Sequence, residues 1–277
     1  MTFTRRRRIR TTILSVVVIA LALICASPLY VVVVNTFKSS GEMMSNPFGL
    51  PSKFSLENYR HAFESLPIFR ALANTVIVTV AGVALQVIIG ALAAYGMVQK
   101  RSRFTAGIGA FLLLSFVLPG QTLLIPQYKM EAGLGLVDTL TGLVVLYLAG
   151  STFCYFLVVQ YMMKLPQELF EAARIDGAGP LRIFWQIVLP LIRPILITVI
   201  VFQTMGTWND FMTPNIYISS PEKQTIVLQV FTAMGQFTTN WPLFMTITTI
   251  ALIPVFIFFI LCQKWIVAGL VAGSVKE

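Results

Sequence analysis

Chemistry needs side chains that hold a charge or move a proton, and this chain brings few of them together. Its one histidine, His61, stands in a polar stretch with no serine and aspartate spaced as a triad. Cys25, Cys154 and Cys262 each lie inside an apolar run. They match no metal-ligand spacing and read as small buried hydrophobes, so neither a metal nor a cofactor is expected. No G-x-S-x-G, H-E-x-x-H or G-x-x-x-x-G-K-[ST] pattern occurs. Without a phosphate loop the chain cannot hydrolyse ATP, and no catalytic set is left for an enzyme. Two patterns remain. Trp208, Asn209 and Asp210 stand at the edge of an apolar run. An acid and an amide beside an indole there could hydrogen-bond and stack against a solute, and Gln86 could line a path. A plainer reading stands beside it. Pro214 follows closely, so Asn209 and Asp210 could end a helix, and Gln86 lies among Gly82, Gly90 and Ala94, a small-residue face suited to helix packing. The second pattern is Glu171-Ala172-Ala173, three residues, Gly177, nine residues, Ile187, one residue, then Leu189-Pro190.

The elements that carry these residues follow from composition. Of 277 residues, 57% are hydrophobic and 11% charged, and the mean hydropathy is +0.82. A soluble domain carries about 25% charged residues, so lipid is the expected solvent for much of this chain. The net charge of +9 raises the question of nucleic acid. The basic residues cluster at the ends of apolar runs rather than on a polar domain, which argues against it. Six runs approach or exceed the roughly 20 residues needed to cross a bilayer. They are 13–34, 71–98, 106–125, 143–163, 192–211 and 244–265. The expected fold is an all-α integral membrane protein with six transmembrane helices. The basic stretch 1–12 precedes the spans, the spanning domain covers 13–265, and 266–277 form a tail. The first run is longer than a signal-peptide core and lacks an A-x-A site, so it is expected to remain as an anchor.

Lysine and arginine set the orientation. With the N-terminus in the cytoplasm, fourteen of the basic residues fall inside and six outside. That asymmetry puts both termini in the cytoplasm. The outer segments are then about 36–70, 126–142 and 212–243. In the first, Ser55 can cap a helix whose Leu56, Tyr59, Phe63 and Leu66 share one side, as suits a helix on the membrane surface. His61 is expected to be solvated there.

The same count places Glu168–Ile192 in the cytoplasm. Pro166 suits a first helical turn, and Glu168 and Glu171 oppose the positive end of the helix dipole. Asp176-Gly177 supplies a stop. Pro180 starts a second short helix, and Pro190 is expected to end or bend it before the membrane. Helix, glycine turn, helix is the result. Ala172 and Ala173 give it a low-relief face that suits docking in a groove of another protein. An interfacial helix pair lying against lipid is the alternative from physics alone.

The spacing from Glu171 to Pro190 resembles the signature loop of bacterial ABC importer permeases. Leu56-Glu57-Asn58-Tyr59, Asn74 to Val78, Ile125 to Tyr128, Gly133 to Thr139, Trp208 to Phe211 and Gly269 to Lys276 resemble the carbohydrate branch. Within it they are similar to the smaller membrane subunit of maltose-type importers. The resemblance covers nearly the whole chain. It implies a type I ABC importer permease whose cytoplasmic loop 164–191 forms a coupling helix in a cleft of an ATP-binding subunit. Glu171, Ala172, Ala173, Asp176, Gly177, Leu189 and Pro190 would make that joint. Gly273, Ser274 and Lys276 belong to a tail that resembles one reaching between the ATPase subunits. The implied partners are a second permease, a pair of ATP-binding subunits, an extracytoplasmic solute-binding protein and membrane lipid. The implied solute is a carbohydrate, and the place is the bacterial inner membrane. A related solute such as a polyol or glycerol phosphate, or a membrane scaffold that recruits a cytosolic partner without transport, are the competing readings.

Overall fold

Long apolar runs without water partners for their backbone must satisfy it internally, and helices do so. In the computed structural model, residues 2–100, 102–236 and 240–274 are described, and among them every regular element is helical. The chain divides into two compact units, Met1–Ile68 with Val230–Ile253, and Phe69–Gln229 with Pro254–Glu277.

In the first unit, α1 (Thr2–Asn35) is apolar on all sides from Ile13 onward, and residues 10–30 are exposed throughout. Such a helix needs lipid or another subunit around it. A short helix α2 (Ser40–Ser45) and α3 (Glu57–Ser65) follow. Polar side chains fasten this region. Asn35 Nδ2 donates to the carbonyls of Val31 and Pro47, and the buried Lys38 donates to the Asn46 carbonyl at 2.7 Å. Asn58 Nδ2 donates to the carbonyls of Thr36 and Lys38, so α3 is tied back onto the loop before it. Ser55 Oγ accepts the Glu57 amide, near the capping role its position suggests. His61 is exposed.

In the chain order of the second unit come α4 (Ile68–Gln99), α5 (Arg103–Val117), α6 (Leu124–Gly133), α7 (Leu140–Tyr147) and α8 (Ser151–Met162). Then come α9 (Glu168–Ile175), α10 (Pro180–Ile183), α11 (Leu189–Leu191), α12 (Arg193–Trp208) and α13 (Met212–Tyr217). The last two helices, α14 (Ile226–Gln236) and α15 (Trp241–Ser274), run through residues of both units. A core of Ala91, Ala94, Tyr95, Cys154, Val158, Leu196 and Val199 joins α4, α8 and α12. Gly90 makes the approach of α4 to α8 possible, since a Cβ there would lie 2.6 Å from that of Cys154.

Among the described residues, four helical runs are long and apolar enough to cross a membrane: Arg10–Asn35, Ile68–Gln99, Leu140–Met162 and Trp241–Trp265. The third expected span is not one helix, and the fifth is the 16-residue helix Arg193–Trp208, entered through a bend. Around Leu118-Pro119 the chain breaks, and the pieces Arg103–Ser115 and Gly120–Gly133 meet at 98°. Pro119 has no N–H to continue the ladder and biases Leu118 toward an extended conformation. Pro180–Leu191 meets Arg193–Trp208 at 77°. The spans number six only when each bent pair counts as one.

Candidate functional site

The Gly-broken segment begins with α9, whose first turn carries Glu168 and Glu171 and whose last carries Arg174, each sign suited to its end of the dipole. The helix stops at Gly177, where φ is +75°. The Gly177 amide donates to the Arg174 carbonyl at 3.0 Å and the Ala178 amide to the Ala173 carbonyl at 2.9 Å. These two bonds define a Schellman stop, which needs a left-handed residue at that position. Pro180 then opens α10, and the run continues through a wide π turn, Phe184–Val188, into α11. Pro190, expected to end or bend this helix, itself stands within α11, and the bend follows two residues later. The Leu189 amide donates to the Phe184 carbonyl, five residues back. A wider turn accommodates the proline ring, which otherwise strikes the carbonyl four residues before it. The 77° turn comes at Ile192, before Pro194.

Burial sorts the segment into two sides. Phe170, Ala173, Ile183, Phe184 and Val188 sink into the core with α4, α8 and α12. Ala173 therefore faces the protein, not a partner, and only Ala172 of the alanine pair is exposed. Glu168, Glu171, Asp176 and Gly177 are exposed as well. Large apolar side chains share that outer side: Ile175 is 86% exposed, Leu181 68% and Trp185 51%. Leu189 is partly buried against the core and Pro190 is exposed. Two contacts pin the segment to the end of α4. Arg174 Nη2 donates to Gln99 Oε1, and the rings of Tyr95 and Phe184 lie 5.5 Å apart.

The residues around Asp210 form a separate knot. Asp210 Oδ2 accepts the Tyr147 hydroxyl at 2.9 Å, and Oδ1 accepts the Thr213 amide in the first turn of α13. Asn209 Nδ2 closes back on the Met205 carbonyl. Trp208 is buried and its indole nitrogen has no partner among the described residues. Gln86 belongs to another knot. Buried in α4, it accepts a hydrogen bond from Gln203 Nε2 of α12, which also donates to the Gly150 carbonyl at 3.0 Å. A Cβ on Gly150 would sit 2.2 Å from that nitrogen and 2.7 Å from Gln86 Oε1. Gln86 is thus engaged in holding three chain segments together. Of the tail residues, Gly273 and Ser274 fall in the last turn of α15, of whose side chains nothing is described, and Lys276 lies outside the described residues.

Sequence reading missed Gln203, Gln99 and above all Asp138. Asp138 has φ +59°, a conformation that aspartate tolerates better than most residues. Its Oδ1 accepts the amides of Ser219 and Ser220, and its Oδ2 accepts the Ser220 hydroxyl and Lys223 Nζ. Lys223 also donates to the Asp138 carbonyl. Hydrogen bonds from Ser220 and Lys223 hold the carboxyl far below its ordinary titration range. The local signal was only an acid after Gly135-Leu136-Val137. Its partners stand some eighty residues later, so spacing could not reveal them. Glu131, fully buried, sets its carboxyl against the first turn of α7, where a Cβ on Gly142 would come within 2.6 Å of Oε2. Neither of its oxygens has a hydrogen-bond partner among the described residues.

A profile of the family described as binding-protein-dependent transport system inner membrane component matches residues 86–271. The chain belongs to this family. The match includes both glutamine partners, the Asp138 clasp, the Gly-broken segment and the Asp210 knot. Over 274 residues the permease is 34% identical to the probable starch degradation products transport system permease protein AmyC of Thermoanaerobacterium thermosulfurigenes, covering 99% of this chain and 100% of that one. It is 29% identical to the melibiose/raffinose/stachyose import permease protein MelC of Bacillus subtilis, with 98% and 99% covered. Its fold matches a chain of the crystal structure of a bacterial ABC transporter involved in the import of the acidic polysaccharide alginate, with a TM-score of 0.81 and 24% identity, over 95% of this permease and 99% of that chain. The architecture is therefore that of an ABC importer type I permease.

Proposed function

We propose that this permease is one membrane subunit of an ATP-driven importer of carbohydrate, most simply an oligosaccharide, and that Glu168–Ile192 is its joint with a separate ATPase. The observation that carries the reading is the two-sided segment. One side is locked into the core through Phe170, Ala173 and Phe184, and the other exposes Glu171, Ala172, Ile175 and Trp185 with nothing on them. A face of small and apolar residues beside acids suits helix-in-groove docking. The chain carries no phosphate loop of its own, so the ATP-binding subunits must be other chains.

In this reading both termini and the joint face the cytoplasm, as the excess of lysine and arginine there requires. The tail from Gly273 to Lys276 adds a second contact with the ATPase pair. The exposed apolar surface of α1 suits lipid and a second permease. An extracytoplasmic binding protein would deliver the solute to the opposite side. A related transporter has been crystallised with a periplasmic protein bound to an alginate pentasaccharide. The carbohydrate assignment rests on the relatives described as permeases for starch products and for raffinose-type sugars. The Asp210 knot and Gln86 enter as groups that position the path rather than as groups free to bind solute, because their polar atoms are already engaged.

The test is ATP hydrolysis by the reconstituted complex with and without saccharide-loaded binding protein. Glu171→Lys should remove the stimulation while the subunit still inserts and assembles its spans. Full stimulation in that variant would refute the joint.

A further inference from the structure

A further hydrogen-bonding surface borders the Gln86 and Asp210 knots, meeting them at Gly150 and Thr213. The helix α5 has 15 residues, about 22 Å at the α-helical rise, short of the roughly 30 Å of hydrocarbon. The chain then breaks at Leu118-Pro119 and leaves both residues exposed, together with Gly120 and Gln121. Irregular backbone at such depth is not tolerated against lipid, where its unpaired N–H and C=O groups would cost several kcal/mol each. It persists where protein buries it or where it lines water. Here it opens on a groove of about 490 Å³, within the ordinary range of small-molecule sites.

The lining of that groove tells what it suits. Ser115, Gln121, Gln127, Thr152 and Thr213 supply hydroxyls and amides, Phe153 supplies a ring, and no Asp, Glu, Lys or Arg contributes. Among the described residues, the side chains of Gln121, Gln127 and Thr152 have no hydrogen-bond partner within the chain. Another irregular piece reaches the same groove, the 3-10 turn Leu148–Gly150 between α7 and α8. Leu118, Leu123, Leu124 and Met212 line the rest, so the groove sets the free, uncharged side chains of Gln121, Gln127 and Thr152 among apolar ones and an aromatic ring, which matches the hydroxyls and the C–H face of a pyranose. It does not match an anionic sugar, which would call for arginine or lysine.

We propose that this groove, between the α5–α6 break, the start of α8 and the start of α13, is a passage site for an uncharged saccharide. It gives the solute path in this subunit a place that Trp208, Asn209, Asp210 and Gln86 do not occupy. The proposal rests on the carbohydrate reading above. It commits to a neutral sugar as the occupant because Gln121, Gln127 and Thr152 stand unpaired beside Phe153 with no charged side chain among them.

The experiment uses the full complex in proteoliposomes with its ATPase and binding protein, and measures uptake of labelled maltotriose, raffinose and trigalacturonate per assembled complex. An uncharged trisaccharide should be carried. Thr152→Val keeps the shape and removes the hydroxyl, and should lower uptake about three- to tenfold, the worth of roughly one hydrogen bond. Thr152→Ser should retain uptake, and Gln127→Leu should lower it at least as far as Thr152→Val. A structural role for Thr152 would not separate Val from Ser in this way. Uptake equal to the parent in Thr152→Val and Gln127→Leu, the result for a groove filled by lipid or by another subunit, overturns the site. Uptake of trigalacturonate alone overturns its neutrality. If no saccharide-loaded binding protein speeds ATP hydrolysis by the parent complex, the carbohydrate reading itself fails, and the site with it.

Discussion

Replacing Gly177 tests how much the joint depends on one backbone angle. At φ +75° a Cβ would find nothing within 4 Å, so sterics with neighbours add no cost. The cost is conformational. An L-residue held in the left-handed region pays roughly 1–2 kcal/mol that glycine does not. One to two kcal/mol is a factor of about 5–30 in a two-state population. If the Schellman stop at Ala173 and Arg174 is what aims α9 away from α10, then Gly177→Ala should reduce ATP-coupled uptake by about that factor per complex. Gly177→Asn should lose less, because asparagine visits the left-handed region readily. Gly177→Val should lose more, because a branched Cβ is least tolerated there. The readout is uptake and stimulated ATP hydrolysis in proteoliposomes, each normalised to assembled complex. The ranking Gly, Asn, Ala, Val is the prediction. Equal activity in the valine and parent proteins would refute the reasoning, and so would an asparagine variant weaker than the alanine one.

Other expectations are briefer. Gly150→Ala should cost about 1–3 kcal/mol of stability, as overpacking does, because its Cβ would displace the Gln203 amide; detergent melting of the purified subunit checks this. Gln86→Leu and Gln203→Leu should be strongly non-additive in the same assay, with a coupling of about 0.6–1.7 kcal/mol. Gln99→Leu should weaken the hold of Arg174 on α4 and lower solute uptake more than it lowers ATP hydrolysis, a loss seen in the ratio of the two. The Asp138 carboxyl titrates far below its unfolded value, so its contribution is present above about pH 3.9 and is lost only as pH falls below that. Melting between pH 5 and 8 should therefore show no step that Asp138→Asn removes, while Asp138→Asn lowers the melting temperature throughout that range.

Much of this molecule was legible because its signals are local. The spacing from Glu171 to Pro190 foretold a helix, a glycine stop and a second helix, and Gly177 stands where a left-handed residue is needed. Apolar run length found four helices long enough to cross a membrane, and at the two bent pairs that leave the count of six open a proline stands at or next to the break. Run length counts residues and is blind to the broken ladder at Leu118-Pro119 and to the corner at Ile192. It also overstated Pro190, because a π turn upstream makes room for the ring. The polar knots were the least legible. Tyr147 with Asp210, Gln86 with Gln203, and Asp138 with Ser220 join residues 63, 117 and 82 positions apart. Each partner alone looks like an isolated polar residue in or near an apolar run. Asp210 read alone invites a sugar. Read with Tyr147 and the Thr213 amide, it is a helix start with both oxygens engaged. Ala173, which belongs to the recognisable pattern, turned inward because Phe170 and Ala173 form the one stripe of α9 that meets the core.

The most direct test of the central claim is solute accumulation in proteoliposomes holding this permease, its membrane partner and its ATPase, supplied with saccharide-loaded binding protein. The account predicts accumulation that requires ATP hydrolysis, survives collapse of the proton gradient, and is abolished by Glu171→Lys without loss of the assembled spans. Accumulation that stops when the proton gradient is dissipated at constant ATP would contradict it, as would ATP-driven uptake that ignores the change at Glu171.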